Sequence, residues 1–250
     1  RHRYPTRIES KKAAKETMPH NPEETRAAKA DLRAEIRYTR KQVPAAERAQ
    51  RDRAIQHHLV AALEQRFPGS RPVVAAFSAL PGEPGGADLP QALRDAGYEV
   101  ILPVVKHHPR RLEWRTFTGA AGLVANSMGI LEPTGENLGE LVDNADVAVL
   151  PALALGSDGT RLGQGGGFYD RTLADFVAGD ASHPSENVEV SNANAAPTVA
   201  PAVNPVTIPG VGTPFPAPRL QAIWAVVDDP ELRVCVPAAP HDLAVATGIT

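Results

Sequence analysis

The spacing of apolar residues along this chain changes character near residue 70. Upstream it is helical. Ala28, Leu32, Ile36 and Thr39 form one stripe in residues 23–42, which predicts an amphipathic helix. Pro44 stops that helix and suits the first turn of a second, which runs to about Phe67 with Ile55, Leu59, Ala62 and Leu63 facing inward. Pro68-Gly69 ends it. Downstream, short apolar runs alternate with helical stretches. Val73–Phe77, Val100–Val105, Leu112–Phe117, Val147–Leu150, Ala222–Val227 and Val234–Val236 read as strands. A helix begins at Asp88-Leu89, carries Leu89 and Leu93 and is capped by Gly97, and another spans Tyr169–Val177. The run Val147–Leu150 is apolar without interruption up to Pro151, as in a parallel strand covered on both faces. The alternation predicts an α/β/α sandwich with a mostly parallel sheet in a single domain.

Two segments stand apart. Residues 1–22 carry Arg1, Arg3, Arg7, Lys11, Lys12 and Lys15 with no apolar period and read as a flexible basic arm. Residues 179–218 are rich in Pro, Ala, Asn, Ser and Val and contain no Lys or Arg. Such a stretch buries little, so it reads as a low-complexity insertion within the domain of residues 23–250.

Composition narrows the function classes. At 250 residues and 42% hydrophobic content the chain can bury a real core. A net charge of −3 gives no bulk attraction to nucleic acid or to anionic membrane. A single cysteine, Cys235, excludes an internal disulfide and any multi-cysteine metal site. No apolar run is long enough to span a bilayer. Small-molecule substrates, a cytoplasmic setting and a monomer are the expectations.

The densest chemistry lies in Arg161-Leu162-Gly163-Gln164-Gly165-Gly166-Gly167-Phe168-Tyr169-Asp170-Arg171. Glycines let a backbone turn sharply and bring its N–H groups close to a ligand. Successive N–H groups in such a turn make an anion nest, and a helix that starts there adds its positive end. Arg161 and Arg171 add charge, and Asp170 can hold a cation. The P-loop would need Lys-Ser/Thr after its last glycine, where this chain has Phe168-Tyr169.

Other constellations are weaker. Lys29 and Arg33 share a helix face and can clamp a phosphate chain, although a solvated basic face has the same pattern. Glu83 follows the first strand, where open α/β sheets bind ligands. Asp242 can join Asp170 around Mg²⁺ or merely cap a turn. His57-His58 and His107-His108 are sequence neighbours that point apart, which argues against zinc. Cys235 reads as core, and no Gly-x-Ser-x-Gly elbow occurs.

Taken in order, Lys29-x-x-x-Arg33, Glu83, Gly129-Ile130-Leu131-Glu132-Pro133, Leu150-Pro151-Ala152-Leu153-Ala154, the 161–171 loop and His241-Asp242 resemble the 5-formyltetrahydrofolate cyclo-ligases. The resemblance covers about residues 26–178 and 220–250, and the glycine string is its most specific part. It implies a three-layer, Rossmann-like fold and the reaction ATP + 5-formyltetrahydrofolate → ADP + phosphate + 5,10-methenyltetrahydrofolate, with Mg²⁺. By the same resemblance ATP is held by Lys29, Arg33, Arg161, Leu162, Gly163, Gln164, Gly165, Gly166, Gly167, Phe168 and Tyr169. The folate meets Ser78, Glu83 and residues 164–168. Arg161, Tyr169 and Arg171 act in catalysis, and Asp170 and Asp242 bind the metal.

The chain departs from the family pattern after Glu83, where Pro84-Gly85-Gly86 replaces Val-Asp-Thr. That change keeps two rivals open: a folate- or nucleotide-binding paralogue without turnover, and a related ATP-dependent enzyme acting on another formyl-amine.

Overall fold

A computed structural model describes residues 21–179, 189–190 and 220–250, apart from Glu140, Val142, Val234, residues 240–244 and Ala246. Residues 1–20 of the expected basic arm, most of the 179–218 insertion and His241-Asp242 lie outside the described residues, and Pro22, expected in the arm, opens the first helix.

Helix α1 (Pro22–Gln42) starts where Asn21 accepts hydrogen bonds from the N–H groups of Glu23 and Glu24, at 3.0 and 2.9 Å. Pro22 at its first position, acidic residues in its first turn and Arg40 and Lys41 in its last all suit its polarity. The buried stripe differs from the expected one. Thr39 is exposed, and Lys29, Ile36 and Arg40 face inward. Helix α2 (Ala45–Arg66) buries Ile55, Leu59 and Leu63, with Pro44 just before its first turn instead of inside it.

Strand β1 (Val73–Ala75) leads through α3 (Leu89–Asp95) to β2 (Glu99–Lys106), which turns into antiparallel β3 (Arg111–Thr116). α3 closes as expected at Gly97, whose φ of 89° lets its N–H and that of Tyr98 reach the carbonyls of Arg94 and Leu93. Three short strands follow, β4 (Leu123–Ala125), β5 (Leu131–Pro133) and β6 (Asn137–Gly139). Next come β7 (Val147–Pro151), β8 (Ala154–Gly156), β9 (Arg161–Leu162) and helix α4 (Phe168–Gly179). The chain ends with β10 (Glu189–Val190), β11 (Ala222–Val226), β12 (Leu232–Arg233) and β13 (Thr247–Ile249). The strand expected at Val234–Val236 lies instead at Leu232–Arg233, where it pairs with β8. The expected insertion contributes β10, which pairs with β13.

The main sheet has eight strands in the order β10-β13-β11-β7-β1-β2-β3-β6, parallel except at β3 and β6. Its residues alternate between two cores. Val74, Val100, Leu102, Val147, Val149, Trp224 and Val226 pack with α2 and α3. Val73, Ala75, Ile101, Ala148, Leu150, Ile223 and Ala225 pack with Trp114 and with Leu173 of α4. This is the expected three-layer arrangement, one face per strand parity. A third cluster seats Ile36 of α1 on Leu153, Ala154, Leu162 and Val236, over the small sheet β12-β8-β9. Among the described residues no helix is long and apolar enough to cross a membrane.

The connection leaving β1 runs to one side, toward β2, whereas β11 lies on the far side of β7. The crevice beyond the carboxyl ends of β1 and β7 is therefore a topological switch point, where open α/β sheets take ligands.

Candidate active site

A cleft of about 1190 Å³ opens at that switch point. Phe77, Ser78, Leu80 and Glu83 reach it from the end of β1, and Pro103 and Val105 from β2. Pro151 and Ala152 come from β7, Lys29 and Arg33 from α1, and residues 161–171 form its rim. The sequence-derived site residues thus converge on one cavity, with Asp242 outside the described residues.

The glycine loop needs its glycines. Gly165 and Gly167 have φ of 100° and 64°, a region side-chain-bearing residues avoid. A Cβ on Gly167 would stand 2.8 Å from Arg171 Nη1, and one on Gly165 would stand 3.4 Å from Arg33 Cζ. Arginines grip the loop from both sides. Arg33 Nε donates to the Gly163 carbonyl at 2.9 Å, and Arg171 donates to the Gly166 carbonyl and, at 3.0 Å, to that of Arg110. The loop then runs into the N-terminus of α4, so backbone N–H groups and a helix dipole gather at the cleft rim.

Arg161 lies deeper, with 3% of its side chain exposed. It donates to Asp170 at 2.8 Å and to the Pro151 carbonyl at 3.2 Å, and its guanidinium lies 5.8 Å from the centre of the Tyr169 ring. Its Nε and the Ser78 hydroxyl are buried, and neither has a hydrogen-bond partner among the described residues. Polar atoms left so beside a cleft suit a polar ligand. Burial pushes the Tyr169 phenol far above its ordinary range, and the Glu83 carboxylate adds to this while Arg161 opposes it. The Tyr169 phenol is therefore protonated at neutral pH.

Glu83 is buried at the other wall. It accepts from Leu80 N–H at 2.9 Å and from Gln164 Nε2 at 2.9 Å. The residues after it face away from the cleft. Gln56 of α2 donates to the Gly85 carbonyl at 2.9 Å, and a Cβ on Gly86 would meet Asp52 of α2 at 3.0 Å. Pro84-Gly85-Gly86 is a tight turn against α2, with φ of 91° and 70° at its glycines. The departure from the family pattern is thus a packing change outside the cleft wall.

Sequence reasoning missed two participants. Arg37, one turn beyond Arg33 on α1, donates to the Gln164 side chain at 2.8 Å and to its carbonyl at 3.2 Å. Arg40 is buried, pairs with Glu231 at 2.6 and 2.8 Å, and donates to the Ala152 carbonyl at 2.7 Å. Glu132, within the family-like stretch, accepts from Val105 N–H at 2.8 Å and ties the β4–β5 hairpin to β2. Cys235, expected in the core, is half-buried, and burial together with Asp158 raises its thiol pKa, so it is a poor nucleophile. His58 contacts the Thr250 carbonyl at 2.6 Å, and among the described residues no trio of His, Cys, Asp or Glu forms a metal cage.

The profile of the 5-formyltetrahydrofolate cyclo-ligase family matches residues 25–192. A 5-formyltetrahydrofolate cyclo-ligase of Mycolicibacterium smegmatis is 30% identical over 89% of this chain and 93% of its own length. That of Escherichia coli K12 is 37% identical over 41% of this chain and 58% of its own length. Two solved 5,10-methenyltetrahydrofolate synthetases share the fold. The Aquifex aeolicus structure has a TM-score of 0.58 at 21% identity, with 89% of each chain covered. The Mycoplasma pneumoniae structure has a TM-score of 0.55 at 16% identity, covering 88% of this chain and 97% of that one. With the glycine loop, its flanking arginines and Glu83 gathered at one switch-point cleft, these matches show that the chain belongs to the 5-formyltetrahydrofolate cyclo-ligase family.

Proposed function

We propose that the protein cyclises 5-formyltetrahydrofolate to 5,10-methenyltetrahydrofolate with ATP, giving ADP and phosphate. The observation that carries this reading is that the glycine loop and the buried Glu83 carboxylate face one cleft, linked by Gln164. A polyphosphate and a heterocycle with N–H donors would meet there.

The chemistry suits these side chains. A formamide carbon is a poor electrophile because its oxygen is a poor leaving group. Transfer of the γ-phosphoryl group to that oxygen makes it a good one. The folate's N10 then attacks the same carbon, phosphate departs, and the N10 proton is released. No protein nucleophile is needed, so the work is positioning and charge neutralisation. Lys29, Arg33, Arg161 and the loop residues Leu162 to Tyr169 would hold the nucleotide. Arg161 and Arg171, with the protonated Tyr169, would stabilise charge on the transferring group. Ser78 and Glu83 would hold the pterin, together with Gly165, Gly166, Gly167 and Phe168.

The donor set fits a metal carried by the nucleotide. Mg²⁺ takes one or two carboxylates plus phosphate and water oxygens, and Asp170 is partly exposed at the cleft rim. Asp170, with Asp242 as a second candidate, would hold it, and when bound it would neutralise the phosphate oxygens.

The test mixes protein with 5-formyltetrahydrofolate and Mg²⁺, with and without ATP, and follows the absorbance band of the methenyl product. ATP-dependent growth of that band is expected. Its absence with folded protein would reject the reading and favour a binding protein without turnover. The third reading, another formyl-amine substrate, loses its motive because Pro84-Gly85-Gly86 packs on α2.

A further inference from the structure

One chain of hydrogen bonds spans the cleft. Arg37 donates to the Gln164 amide oxygen, the Gln164 amide nitrogen donates to Glu83 Oε1, and Leu80 N–H donates to Glu83 Oε2. The first two of these bonds are 2.8 and 2.9 Å long. Gln164 is flanked by Gly163 and Gly165, and Arg33, four residues before Arg37, holds the Gly163 carbonyl. Both ends of the Gln164 amide are therefore engaged, one by a cation of α1 and one by the carboxylate assigned to the pterin. Arg37 itself does not line the cleft.

We propose that Arg37 and Gln164 couple the two substrate sites, with the Gln164 amide acting as an internal ligand that folate must displace from Glu83. The inference rests on the assignment of Glu83 to the pterin and of Arg33 to the nucleotide. An amide N–H on Glu83 occupies the position a pterin N–H would use, so folate exchanges one charge-assisted bond for another and gains less by binding. A triphosphate drawn to Lys29 and Arg33 competes with the Gly163 carbonyl for the Arg33 guanidinium. Release of that carbonyl frees the loop that carries Gln164, and the latch on Glu83 loosens. Nucleotide thus raises folate affinity, and by linkage folate raises nucleotide affinity equally.

The experiment is calorimetric titration of 5-formyltetrahydrofolate with and without a non-hydrolysable ATP analogue and Mg²⁺. It compares the unmodified protein with Gln164→Ala and Arg37→Ala. Both changes fall on exposed side chains, so folding is preserved. In the unmodified protein the analogue should tighten folate binding about tenfold, the scale of one charge-assisted hydrogen bond. Gln164→Ala should bind folate without nucleotide as tightly as the unmodified protein does with it, and the analogue should add little. Arg37→Ala should fall between.

Folate binding by Gln164→Ala that is weaker than, or equal to, that of the unmodified protein overturns the proposal, because Gln164 would then be a direct folate ligand or a bystander. Coupling that persists at full strength in Gln164→Ala overturns it too. If no variant binds folate under any condition, the assignment of function itself fails, an outcome distinct from the others.

Discussion

Removal of the Arg40 guanidinium tests how the cation-bearing helix is anchored. Arg40 and Glu231 have side chains only 9% and 7% exposed and form two hydrogen bonds of 2.6 and 2.8 Å. Arg40→Met leaves Glu231 without its cation and the Ala152 carbonyl without its donor. Breaking a buried pair in this way costs about 3–5 kcal/mol, chiefly because one charge stays desolvated and unpaired. For a domain of this size each kcal/mol lowers Tm by about 2–4 °C, so a fall of roughly 6–20 °C is expected. The assay is thermal unfolding by circular dichroism, with urea titration as a check on ΔG. Arg40→Met/Glu231→Leu should recover most of the loss, since matched apolar groups remove both desolvation penalties. The same change loosens α1 against Ala152, so the KM for ATP should rise more than kcat falls below the melting range. A single variant within about 1 kcal/mol of the unmodified protein would refute the reasoning.

Three further outcomes are expected. Glu83→Gln should raise the folate KM at least about tenfold with the ATP KM little changed, because a charge-assisted acceptor is lost; equal effects on both substrates would argue against a pterin site. Gly167→Ala should cost about 1–2 kcal/mol of stability from its φ of 64°. It should also lower kcat/KM, because the new Cβ would lie 2.8 Å from Arg171 Nη1; unaltered kinetics would remove Arg171 from the site. Burial raises the carboxyl pKa of Glu231 above 4.5 despite opposition from Arg40. A raised carboxyl contributes stability that is complete below the unfolded pKa and lost as pH rises through the folded one. Glu231→Gln, which does not titrate, should therefore gain on the unmodified protein as pH climbs from about 4; a variant that loses ground instead would show that attraction to Arg40 outweighs burial.

The legible part of the fold was the part with period and length. α1, α2, β2, β7, β11 and the helix after the glycine loop stand within a few residues of their expected limits, because each buries a regular face. β4, β5, β6, β8 and β9, of two or three residues each, show no period in the sequence and are fixed by pairing. On α1 the stripe was right as far as Ile36, then misplaced by one residue, because burial of Arg40 depends on Glu231, 191 positions away. The candidate site was legible where glycines and charges cluster. Arg37 was not, since its role comes from a loop side chain 127 residues distant. The Pro84-Gly85-Gly86 change reads as a pocket alteration in the sequence and as a turn against α2 in three dimensions.

The central claim is that the glycine loop receives a triphosphate on the same side of the sheet as Glu83. A crystal structure with a non-hydrolysable ATP analogue and Mg²⁺ addresses it most directly. The account predicts phosphate oxygens within hydrogen-bond distance of Arg33 and of loop N–H groups between Gly163 and Phe168, with the γ-phosphate toward Glu83. A nucleotide bound elsewhere, or a loop turned away from Glu83 with its N–H groups unused, would contradict it.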